Sequence, residues 1–82
     1  MLTFSINYIE GRSEEGQAMS VEIRDQKSIV TIGNQHAPLM MVLKNGHFKI
    51  VLSDSSIKEG SFQEGFLCVD ENNSCRITIT RT

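Results

Sequence analysis

Two histidines, two cysteines and ten carboxylates are the side chains of this 82-residue sequence best suited to chemistry. A nucleophilic pair needs a cysteine beside a base, and His47 with Cys68 is the one combination to weigh. The local patterns that surround the cysteine of known hydrolases are absent around Cys68 and Cys75. A zinc centre needs four ligands, or three and a water, and a lone Cys-x6-Cys pair supplies two. His36 and His47 each lie in or beside a turn-forming stretch, where exposure to solvent accounts for them. Glu14-Glu15, Glu59, Glu64 and Asp70-Glu71 fall in loop-like stretches. Paired acids do acid–base work only when burial drives their pKa values apart, and solvated ones keep ordinary values. Gly33-Asn34 and Gly60 have the look of turn glycines, and GRSEEG lacks both the spacing and the Lys-Ser/Thr of a phosphate loop. No residue is therefore assigned to catalysis, to a cofactor or to a metal, and a non-enzymatic protein is expected.

The elements that would have to position any site are legible from composition and periodicity. Hydrophobic residues are 39% and charged residues 22%, ordinary for a chain that folds, and 82 residues suffice for a single domain over 1–82. Eight basic against ten acidic side chains give a net charge of −2 with the signs interspersed, which weighs against nucleic-acid phosphate as a general partner. PLMMVL is the longest apolar run, far short of the ~20 residues that cross a bilayer. The N-terminus shows no export signal, so a cytoplasmic protein with reduced thiols is expected. A mature chain that had lost a signal would look the same, and a cross-strand Cys68–Cys75 disulfide is the alternative if a DENN loop sets the two opposite each other.

Alternation with a period of two dominates. Leu2, Phe4, Ile6 and Tyr8 share one face of a first strand, and Met19, Val21 and Ile23 share one face of a second after GRSEEGQ breaks the pattern. Asp25-Gln26-Lys27-Ser28 turns the chain into Ile29–Ile32, making a hairpin. Residues 33–38 form a loop that holds the sole proline. In LMMVLKNGHFKIVL, residues 39–52, the Asn45-Gly46 pair suits a type I′ turn. A hairpin there would set Leu43 opposite Phe48 and Met41 opposite Ile50 on one shared face. The run SDSSIKEGSFQEG has two glycines that argue against a continuous strand and room for one short helical turn at Asp54 or Ser55. Phe66–Val69 and Cys75–Thr80 close the chain as a last hairpin, with Ile77 and Ile79 inward. The expected class is all-β, a small antiparallel β-sandwich or open barrel of about six to seven short strands with at most one short helical turn.

Function follows from what is left over. Met40, Val42 and Val51 point away from Leu43 and Phe48, which makes the central hairpin apolar on both sides. A covering loop explains this without a partner. An exposed patch of adaptable methionine explains it with one, either another protein or a second copy in a homodimer. The last strand adds Arg76 on an open edge able to accept a strand from another chain. The protein-binding residues are accordingly Met40, Val42, Val51 and Arg76. The expected role is an inhibitor, immunity protein or regulatory adaptor that docks on a larger protein through a sheet face and loops. The alternative is a small-ligand or oligonucleotide-binding barrel, with Phe4, Tyr8, Phe48, Phe62 and Phe66 beside Lys44 and Lys49 as a stacking surface.

Overall fold

A computed structural model describes the whole chain, Met1–Thr82. Six strands follow in order: β1 (Leu2–Tyr8), β2 (Ser13–Arg24), β3 (Ile29–Ile32), β4 (Leu39–Leu52), β5 (Ile57–Val69) and β6 (Ser74–Arg81), with no helix. The expected all-β class holds, as five strands closed into a barrel with one more attached. The ring runs β1-β6-β5-β4-β2 and returns to β1, and β3 lies beside the far end of β2. Every ladder is antiparallel except β1 with β6, where Phe4 lies beside Cys75 and Ile6 beside Ile77. First and last strands thus become neighbours, and the barrel closes.

Three strands are long because each meets different neighbours along its two halves. β2 pairs with β1 through Leu2↔Ala18 to Asn7↔Ser13, then with β3 through Val21↔Ile32 to Arg24↔Ile29. β4 and β5 pair along their whole length, from Leu39↔Val69 to Val51↔Ile57. Only the second half of β4 meets β2, and only the second half of β5 meets β6. Each long strand turns its corner where its inward face reverses, on β2 through the extra residue of a β-bulge and on β4 and β5 through bends that face each other. On β2 this happens at Met19, on β4 between the buried Leu43 and Gly46, and on β5 between the buried Phe62 and Gly65. The last two reversals coincide, so the β4–β5 register stays continuous.

Several sequence expectations change here. The six strands fall within the six to seven expected, but residues 39–52 form one strand and not a hairpin. Asn45 takes a left-handed φ of 50°, while Gly46 does not. A type I′ turn requires φ above zero at both central residues, so the pair bends the strand instead of reversing it. Gly46 is required for another reason: a Cβ there would strike the carbonyl oxygen of Arg24. Leu43, Phe48 and Ile50 are buried and Met41 is packed against the core, so the expected shared face is correct although the pairing is not.

GRSEEGQ does not end the strand pattern, since β2 starts at Ser13. Met19 is half exposed while Val21 and Ile23 are buried, because the bulge takes Met19 out of phase. Residues 57–65, expected to be irregular, lie within β5. Gly60 fits inside the strand because the Phe48 ring lies over it, and Gly65 because the Thr78 carbonyl does. The Asp54 region forms a tight turn rather than a helical one. Asp54 Oδ1 accepts the Ser56 N–H at 2.9 Å, and the Leu52 N–H donates to the Ser56 carbonyl at 2.8 Å. Glu14, Glu15, Glu59 and Glu64 accordingly sit on strands, and only Asp70-Glu71 lies in a turn.

The barrel interior is solid. Sixteen buried apolar residues fill it, including Leu2, Phe4, Ile6, Val21, Ile23, Leu43, Phe48, Ile50, Leu67, Ile77 and Ile79. Removing each large side chain of this kind from water contributes ~1.5–3 kcal/mol, which is how so short a chain offsets the entropy of ordering. No buried polar side-chain atom lacks a partner. Asn73, at a left-handed φ of 61°, ties three segments together. Its Nδ2 donates to the Met1 carbonyl at 2.7 Å and to Asn34 Oδ1 at 2.5 Å, and its Oδ1 accepts the Gln35 N–H at 2.6 Å.

Candidate functional site

Alternation places Met40 and Val42 on the outside of the barrel, and cross-strand neighbours define what surrounds them. Val42 pairs with Phe66, and Phe66 with Thr78; Met40 pairs with Cys68, and Cys68 with Arg76. Beyond β6 the rows continue through Arg76 to Ser5 and through Thr78 to Asn7. An apolar corner of Met40, Val42 and Phe66 therefore passes into a surface of small polar residues. Met40 is 80% exposed, Val42 64% and Phe66 49%, so no loop covers them. A shallow hollow runs from Val42 and Lys44 to Phe66 and Thr80, and a second opens between Val42, Lys44 and the turn at Asp25–Lys27.

The structure brings together three of the four residues expected to bind protein. Met40, Val42 and Arg76 lie on one face, and Phe66, placed in the sequence on a stacking surface, joins them. Val51 does not. It belongs to the other half of β4, beyond the bend at Asn45-Gly46, and lies between Ser20 and the exposed Ile57. The single strand, in place of a hairpin, is what separates them. Arg76 is exposed and joins none of the three ion pairs, but it is not on an edge. β6 has β5 on one side and β1 on the other, so the open terminal edge expected there does not exist. Phe66 could have been found from the sequence had β4 been read as continuous, since its register with β5 makes Phe66 the neighbour of Val42.

The opposite outer face differs in kind. Glu22, Lys49 and Glu59 form one cross-strand row and Arg24, His47 and Ser61 the next, a charged surface beside a turn. Of the aromatic residues considered for stacking, Phe4, Phe48 and Phe62 are in the core, and Tyr8 lies under the Arg12 guanidinium at 3.9 Å from the ring centre. Only Phe66 and Tyr8 of the five therefore lie outside the core. No group of three His, Cys, Asp or Glu side chains is disposed to hold a metal ion.

The cysteines are both free thiols on opposite sides of their sheet. Val69, not Cys68, is the partner of Cys75, which is the neighbouring register of the last hairpin. Cys75 is buried, and burial pushes its thiol up to about 12, with the nearby Cys68 adding to the effect. Cys68 is partly exposed beside Met40. His47 lies on the charged face, on a different surface from Cys68, so the pair considered for nucleophilic chemistry is not assembled.

Among solved structures the chain is similar to one in the mitochondrial ATP synthase of Tetrahymena thermophila, in a structure of its central stalk and c-ring. The TM-score is 0.77 at 17% identity, over 96% of this chain and 63% of that one. The chain thus spans less than two thirds of the length of the protein it resembles. No family model matches the sequence, and no curated protein matches it in sequence. At this identity the likeness establishes a shared fold. It also corrects the functional expectation. The similar chain is a component of a large machine, which overturns the role of inhibitor, immunity protein or regulatory adaptor, with the ligand-binding barrel as its alternative.

Proposed function

We propose that this chain is a structural domain of a multi-protein assembly of the ATP synthase central-stalk type, where it is held between other subunits and performs no reaction of its own. The likeness over nearly the whole chain to a chain in the structure of such a central stalk and c-ring carries the proposal. Its surface supports it: an uncovered apolar corner of Met40, Val42 and Phe66, bordered by Arg76 and small polar side chains, has the makeup of an interface core with a polar rim. A stable contact takes ~800 Å² from each partner, a sixth of the 5055 Å² this protein exposes, so the corner would anchor a wider contact.

The test is to isolate the ATP synthase of the native host by a tag on a different subunit and measure this chain in it by mass spectrometry. Stoichiometric recovery is expected; a pure, active complex lacking the chain would sink the proposal. The Met40→Ser, Val42→Ser double variant then locates the contact. Both side chains are exposed, so its stability should stay within about 0.5 kcal/mol of the parent, while its recovery in the complex falls. Undiminished recovery would remove this corner from the interface.

A further inference from the structure

Closing a barrel removes edges, but this one closes through only part of each long strand. Three edge segments besides β3 remain, and they are protected unequally. The first half of β2 carries Ser13, Glu14 and Glu15, with Glu14 paired to Lys58 and the Gln17 carbonyl taken by the Ser53 N–H at 3.2 Å. The first half of β5 carries Lys58, Glu59 and Gly60. β3 is only four residues long. Charge and shortness are among the ordinary means of keeping a free edge from pairing. The first half of β4, Leu39–Lys44, has none of them before its terminal Lys44. It pairs with β5 on one side and with no strand on the other.

Both faces of this edge are apolar. Met40 and Val42 project outward, and Leu39 and Met41 lie half-buried at the rim of the core. A groove runs beside it, lined by Val42, Lys44, Asp25, Gln26 and Lys27. The groove's one carboxylate is already committed: Asp25 Oδ1 accepts the Lys27 and Ser28 N–H groups at 2.8 and 2.9 Å. Lys27 and Lys44 join no ion pair. The groove therefore offers two ammonium groups without a direct ion-pair partner, Lys27 near the Asp25 carboxylate and Lys44 across the strand from Glu64, beside an edge that no strand pairs.

We propose that Leu39–Lys44 is a strand-acceptor edge, taking an extended segment of a partner polypeptide whose alternate side chains are apolar and whose carboxylate sits between Lys27 and Lys44. This rests on the chain being part of an assembly and names the kind of contact one neighbour makes with it. Main-chain hydrogen bonds supply affinity in such an addition and the alternate side chains supply selectivity.

The probe is an acetylated peptide of alternating valine and threonine ending in aspartate, added to the intact protein and followed by amide hydrogen exchange in NMR. Alternate amides within residues 39–44 should slow by about tenfold or more. The Lys27→Glu, Lys44→Glu variant, with its fold checked by circular dichroism, should weaken binding at least about tenfold, and a peptide N-methylated on the paired amides should not bind. Absence of protection at about 1 mM peptide overturns the proposal. So does movement of Phe66 signals without slowed amides, which marks docking on the face. Slowed exchange of the same amides in concentrated protein alone overturns it in favour of a second copy as the occupant. Each of these results leaves recovery of the chain in the native complex unaffected, so the two readings fail separately.

Discussion

Cys75 and Asp25 show how burial and hydrogen bonding set the response to pH at single residues. The Cys75 thiol is held up at about 12 by burial, above the ordinary value it regains on unfolding. The folded state therefore keeps a proton that the unfolded chain gives up. Stability from this group is complete below the ordinary thiol range, and falls as pH rises from there towards 12, by about 1.4 kcal/mol per unit at most. A Cys75→Ala variant should lose that alkaline slope in denaturant titrations; an unchanged slope would place the thiol in solvent. Thiol labelling at pH 8 gives an independent check, with Cys68 reacting rapidly and Cys75 only after denaturation. Asp25 runs the other way. The Lys27 and Ser28 N–H groups hold its carboxyl below the ordinary aspartate range, so its contribution is present above that range and lost as pH falls through the lowered value. Asp25→Asn should lower the melting temperature at neutral pH and make little difference under strong acid. Asp54, held down by the Ser56 hydroxyl and N–H, follows the same sign.

At the scale of the element, the bend in β4 is what the sequence did not disclose. Asn45-Gly46 carries the strongest hairpin signal in the chain, and local chemistry permits both a turn and a bend within one strand. The decision lies with the Arg24 carbonyl, which comes so close to Gly46 that no side chain fits, and with β5, whose own reversal at Gln63-Glu64 keeps the ladder in step. Gly46→Ala should consequently cost about 3 kcal/mol or more, since the obstacle is backbone that cannot rotate away. Gly60→Ala should cost about 1–3 kcal/mol, because the Phe48 ring can give way in part. Urea denaturation measures both, and a Gly46→Ala protein as stable as the parent would place the bend elsewhere. Leu43→Ala, beside the bend and fully buried, should lose about 2–5 kcal/mol.

Over the whole molecule, protection should follow the ring. β6 is paired on both sides, with β5 as its hairpin partner and with the sequence-distant β1, and its amides from Cys75 to Ile79 should exchange most slowly, whereas β3 should exchange fastest among the strands. The reverse order would contradict the closure of β1 against β6. Alternation by itself determined the all-β class, the bounds of β1, the β2–β3 hairpin and most of the core, because which side of a pleated strand is apolar depends only on that strand's own residues. Met40 and Val42 were legible as outward-facing for the same reason. Strand count, the exposure of that corner, the recruitment of Phe66 and the loss of Val51 and of the terminal edge were decided only in three dimensions. Each depends on which distant strand lies alongside, and a local pattern of side chains carries no record of its neighbour across the sheet.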